Sequence, residues 1–138
     1  MIVTINNWVR MLISSYSFGD EGESVEEIKT LEVLDEILNK YSETALLLFK
    51  HSTACPISKT AYSEVVRFLE KTDATSPPLY MVKVIESRSV SNAITSRFAV
   101  NHRSPQVILV RANEVLWDAS HRRITCDALQ HAINSIDI

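Results

Sequence analysis

Two hydrophobic periodicities alternate along the chain, and the switches between them mark its elements. Val25 to Lys29 reads as a short strand. Thr30 then stands as an N-cap before Leu31–Lys40, where Leu31, Leu34, Ile37 and Leu38 fall on one helical face. "TALLLFK" (44–50) is an unbroken apolar run, the pattern of a central strand covered on both faces. Residues 56–71 return to helical spacing, with Ile57, Ala61, Val65, Phe68 and Leu69 inward and Pro56 suited to the first helical position. Pro77-Pro78 ends that unit and leads into "LYMVKVI" (79–85), a third strand, followed by a helix near Ser89–Phe98. "QVILV" (106–110) and "EVLW" (114–117) have the spacing of a hairpin, and Thr125 caps a last helix with Leu129, Ala132 and Ile133 inward. The order β-α-β-α-β-α-β-β-α predicts an α/β three-layer sandwich, a central mixed sheet flanked by helices.

Both glycines, Gly19 and Gly22, lie in the acidic stretch Gly19-Asp20-Glu21-Gly22-Glu23, a linker signal. It divides an N-terminal extension, residues 1–23, from a domain spanning 24–138. Without a glycine in that domain, Walker A, G-x-G-x-x-G and G-x-S-x-G motifs are all excluded. Fourteen basic against seventeen acidic residues give a net charge of −3, which points to neither nucleic acid nor a polybasic membrane surface. The first 18 residues have Arg10 in mid-segment and Asn6-Asn7 breaking the apolar stretch, so they do not read as a signal peptide. Two cysteines in 138 residues make no disulfide framework, and the expected setting is a soluble protein of a reducing, cytoplasmic compartment.

Two segments carry candidate chemistry. In "KHSTACPISKTA" (50–61), Cys55 stands where the central strand ends and a helix begins. A cysteine at a helix N-cap faces unpaired N–H groups and the positive end of the macrodipole, both of which favour the nucleophilic thiolate. Ser58 lies one turn on, within reach of the sulfur, but a serine cannot resolve a mixed disulfide. The alternative is a buried structural cysteine, a common fate for this residue type. In "RSPQVILV", Pro105 directly precedes an apolar strand; a cis bond after Ser104 would bring that backbone alongside Cys55, whereas an isolated X-Pro bond is ordinarily trans.

Taken together these segments resemble the thioredoxin fold. "LLLFKHSTACPIS", "RFAVNHRSPQVILV" and "VLWDASHRRIT", in that order, resemble the monothiol bacilliredoxin family, once labelled general stress proteins, over roughly residues 25–135. The resemblance implies that Cys55, followed by Pro56, Ile57 and Ser58, is the redox cysteine. It implies that Pro105, between Ser104 and Gln106, is the cis-proline, and that Trp117, Ala119, Ser120 and His121 form the W-x-A-S-H stretch. It further implies no bound cofactor, bacillithiol or a similar small thiol as co-substrate, and S-thiolated proteins as clients; a monomer is expected. Ala54 replaces a threonine often found before the cysteine, and Arg103 stands where an acidic residue is common. The arginine would alter preference for acidic ligands.

"TCDAL" resembles the G-C-D turn by which glutaredoxins hold a carboxylate of glutathione. By that likeness Thr125, the backbone of Cys126, and Asp127 are candidate contacts for a bound thiol, with Arg103, Ser104 and Pro105 the others. Cys126 is a candidate resolving thiol, or else a helix-start cysteine with no redox role. His51, His102 and His121 are placed near one rim, and Lys50, Lys59, Arg103, Arg122 and Arg123 are candidates for a basic border facing a dicarboxylate ligand. No zinc-module spacing occurs, so no metal site is expected. The leading reading is a monothiol thiol-disulfide oxidoreductase acting through Cys55. A non-catalytic binding module, and a dithiol enzyme using Cys55 and Cys126, are the alternatives.

Overall fold

The structure, a computed structural model, describes residues 25–136; the N-terminal extension, residues 1–23, lies outside the described residues. Five strands form one mixed sheet: β1 (Glu26–Glu27), β2 (Leu46–His51), β3 (Leu79–Lys83), β4 (Gln106–Arg111) and β5 (Glu114–Ser120). Four α-helices flank it: α1 (Leu31–Lys40), α2 (Pro56–Lys71), α3 (Arg88–Phe98) and α4 (Cys126–Ser135). The sheet order is β1-β3-β2-β4-β5, with β1 and β2 parallel to β3, and β4 antiparallel to both β2 and β5. This is the three-layer sandwich that the hydrophobic pattern predicts, with the thioredoxin-like arrangement that the resemblance implies.

Local signals explain the element ends. Thr30 and Thr125 accept N–H bonds from Val33 and Ala128, each three residues on, and so cap α1 and α4. The β4–β5 hairpin turns through Ala112 and Asn113, both at positive φ (52° and 67°), as a two-residue turn matched to strand twist requires. Two differences from the sequence reading sit at the end of the hairpin. Strand β5 runs on to Ser120, held by pairing with Gln106, and a short 3-10 turn (His121–Arg123) then leads into α4.

Every residue of β2 is buried, and its side chains alternate between two cores. Leu47 and Phe49 pack with α2 and α4, whereas Leu46 and Leu48 pack with α1 and α3. The alternation predicts that Lys50 follows the second set and His51 the first. Both are buried, Lys50 with no exposed surface at all.

Candidate active site

Strand polarity brings the chemistry to one end of the sheet. The C-terminal end of β2, the N-terminal end of β4 and the C-terminal end of β5 meet there, because Lys50 pairs with Gln106 and Gln106 with Ser120. Cys55 follows β2, the Ser104–Pro105 bond precedes β4, and His121–Thr125 follow β5. The Ser104–Pro105 peptide is cis. Its proline carbonyl accepts the N–H of His121 at 3.0 Å, which ties the proline loop to the turn before α4.

Cys55 is the N-cap of α2, extended at φ −112°, with Pro56 in the first turn. Its thiol is free and partly exposed, and it makes no capping bond to the helix N–H groups. The Cys55 N–H donates to the Ser52 carbonyl (3.3 Å), which closes a tight turn after β2. Ser58 secures that turn from beneath. Its buried hydroxyl accepts the Ser52 N–H at 2.9 Å and lies 2.7 Å from His51 Nδ1. The serine therefore bonds the end of β2, not the sulfur, and its contribution to the site is to hold the turn that presents Cys55. Ser58→Ala leaves the Ser52 N–H and the His51 nitrogen unpaired, an expected loss of about 1–3 kcal/mol in denaturant unfolding.

His51 packs in a three-ring cluster with Phe49 and Tyr62, whose centroids are 5.5 and 5.1 Å away. Burial depresses its pKa below 6.5, Lys83 adds to the effect, and Glu86 opposes it. A base depressed in the folded state binds its proton more readily when unfolded, so its contribution is complete above pH 6.5 and is lost on acidification. The melting temperature is expected to fall as pH drops below 6.5, and His51→Gln to reduce that slope.

The three histidines do not share one rim. His51 faces the α2–α4 core, His121 borders the cleft described below, and His102 bonds Lys50 from the α3 side. Nor does Lys50 join a basic border: its ammonium is buried, 2.7 Å from Thr95 Oγ1 and 3.1 Å from His102 Nδ1. Lys59, Arg103, Arg122 and Arg123 are exposed.

Beside Cys55 a cleft of about 370 Å³ runs between α2 and the start of α4. Pro56, Ile57 and Ala61 form one wall, Arg122, Ile124 and Thr125 the other, with Glu64 also lining it. The candidate contacts at α4 are already engaged. Glu64 Oε1 accepts the Cys126 N–H at 2.7 Å, and Thr125 Oγ1 accepts the Ala128 N–H at 3.0 Å. Asp127 is exposed, whereas Cys126 is a free thiol with 4% exposure. Ser104 Oγ is buried without a hydrogen-bond partner, and the Arg103 N–H donates to Gln106 Oε1. Among the described residues no cluster of three or more His, Cys, Asp or Glu could hold a metal, and no helix is long and apolar enough to cross a membrane.

A partly exposed thiol at a helix start, at the same end of the sheet as a cis-proline loop and beside an open cleft, is equipped for exchange with an external disulfide. The family model for the monothiol bacilliredoxin BrxC matches residues 26–129. The chain belongs to the monothiol bacilliredoxin family. Solved structures place the bacilliredoxin chain in the same fold. A thioredoxin-fold protein proposed to be an oxidoreductase is 26% identical, with a TM-score of 0.69 over 78% of this chain and 92% of its own. The reduced thioredoxin pre-protein of Schistosoma mansoni is 16% identical, with a TM-score of 0.63 over 82% of this chain and 98% of its own. Mitochondrial thioredoxin 3 of Saccharomyces cerevisiae is 12% identical, with a TM-score of 0.65 over 85% and 100%. The last two likenesses speak for the fold alone. Family and fold together support a thiol redox function for this bacilliredoxin.

The sequence left Glu64 and Gln106 without a role in the site's architecture, and assigned Lys50 to a basic border and His102 to a histidine rim, whereas the two bond each other beneath the proline loop. The one signal for Lys50 was its position as the last residue of an apolar run.

Proposed function

We propose that this bacilliredoxin removes a small thiol, bacillithiol or a close analogue, from mixed disulfides on client proteins. The observation that carries the reading is the presentation of Cys55: a free, partly exposed thiol at the start of α2 with no cysteine one turn on. The Cys55 thiolate attacks the small thiol's sulfur, the Cys55–S–S–R bond forms, and the client sulfur leaves and takes up a proton. A second molecule of the small thiol then attacks the Cys55 disulfide, releasing the symmetrical small disulfide and regenerating the Cys55 thiolate.

The supporting groups have distinct parts. Pro56 starts the helix, and Ser58 and Ser52 hold the cysteine's turn. Ser104 and Pro105 offer backbone to an extended ligand; the Ser104 hydroxyl itself is buried. Arg103 is the exposed cation nearest that loop in sequence. Thr125 bears on the ligand through the cleft wall, since its hydroxyl already caps α4, and the exposed Asp127 follows it in the first turn of that helix.

Intact mass spectrometry after separate exposure to oxidised bacillithiol and oxidised glutathione tests the reading. One added small thiol on Cys55, with bacillithiol preferred, is expected. An internal Cys55–Cys126 disulfide would instead establish the dithiol route, and an unmodified Cys55 would leave a binding module.

A further inference from the structure

A buried ammonium without a carboxylate is costly, because water is lost and no opposite charge replaces it. Among the described residues Lys50 is in this position: it has no exposed surface, and its bonds run to a hydroxyl and an imidazole. Thr95 passes its own hydroxyl proton to the Ser91 carbonyl, so Lys50 donates to Thr95. An ammonium has no lone pair, so His102 Nδ1 must be the acceptor, which places that ring's proton on Nε2.

The geometry assigns this pair a place. Lys50 lies on the strand that leads into Cys55, and His102 lies in the loop that ends in Ser104–Pro105. The residue paired with Lys50 across the sheet is Gln106, whose side chain bonds the Asn101 carbonyl (3.2 Å) and the Arg103 N–H (3.3 Å). Two buried polar side chains from adjacent strands thus hold residues 101–103 from below, while Pro105 is carried on the opposite face with Val107.

We propose that Lys50 is a positioning residue, which through His102 fixes the proline loop against the strand bearing the nucleophile and so sets the affinity for the thiolated substrate. This rests on the function proposed above. Burial lowers the Lys50 pKa to about 8, so the ammonium still prevails at neutral pH. Desolvation, Lys50 and Arg88 all depress His102 below 6.5. Besides Lys50, the charged group that bears on His102 is Arg88 at the start of α3; Asp118 on β5 is engaged with Gln106, accepting from its side-chain amide. Protonating His102 would set two cations together and break the bond, so substrate affinity should weaken as pH falls below 6.5.

The test compares wild type with Lys50→Met, which matches the stem and removes the charge. KM for a bacillithiolated client should rise about tenfold with kcat changed less than twofold, and amide exchange at residues 101–103 should quicken about tenfold. The melting temperature should stay level or rise. His102→Asn, with an acceptor in place of Nδ1, should keep the KM and lose its acid dependence, whereas His102→Leu should resemble Lys50→Met. A lower melting temperature with unchanged KM would make Lys50 merely structural, and unchanged exchange would overturn the proposal whatever the turnover. Wild-type protein that removed no small thiol at all would instead overturn the function reading, and the positioning role with it.

Discussion

Cys55→Ser is expected to lower the rate of small-thiol removal by about three orders of magnitude or more, to the level of the uncatalysed exchange. A hydroxyl at this position neither ionises near neutral pH nor forms a disulfide, so attack and capture fail together. The fold should be untouched, because the thiol makes no capping bond and its side chain is partly exposed. Unchanged melting temperature with abolished turnover is the expected pair of results. Cys126→Ser provides the contrast: its sulfur is buried in the α2–α4 core, so its replacement should cost stability while the removal of small thiol persists. Loss of turnover in both variants at unchanged stability would favour the dithiol route.

The largest effect on stability is expected at Phe49. Its ring has no exposed surface, stands at the middle of the central strand, and packs against His51 and Tyr62. Phe49→Ala removes that packing and opens a cavity in a region bounded by fully buried side chains, at a cost of about 3–5 kcal/mol. For a domain of this size that corresponds to a fall in melting temperature of roughly 10–20 °C. The same cavity frees the His51 ring, and with it the Ser58 bond that holds the 52–55 turn. Turnover should therefore fall as well, even at temperatures where the variant is folded. A melting temperature within a few degrees of wild type would show that the core relaxes around the loss.

The architecture was legible because its signals are local. Periodicity separated strands from helices, Thr30 and Thr125 marked two helix starts, and Pro56 after Cys55 marked a third. The position of Cys55 at the N-cap followed from the same signals. What the sequence concealed are bonds between elements distant along the chain. Ser58 lies on the face of α2 that should reach the sulfur, yet its hydroxyl meets His51, which strand alternation turns toward the same core. The first N–H of α4 reads as an open anion site, but Glu64, two turns along α2 from Cys55, already fills it. Lys50 reads as a charge ending an apolar run and therefore as a surface group. Its burial depends on Thr95 and His102, residues 45 and 52 positions away, which nothing in the local pattern connects to it.

Whether Cys55 itself receives the small thiol is tested most directly by following that thiol. A client protein carrying isotopically labelled bacillithiol is mixed with one equivalent of reduced protein, and both are read by intact mass and peptide mapping within a single turnover. The label is expected to move to the peptide containing Cys55 as the client returns to its free-thiol mass. A client joined to Cys55 by a disulfide, or a label found on Cys126 or left on the client, would contradict it.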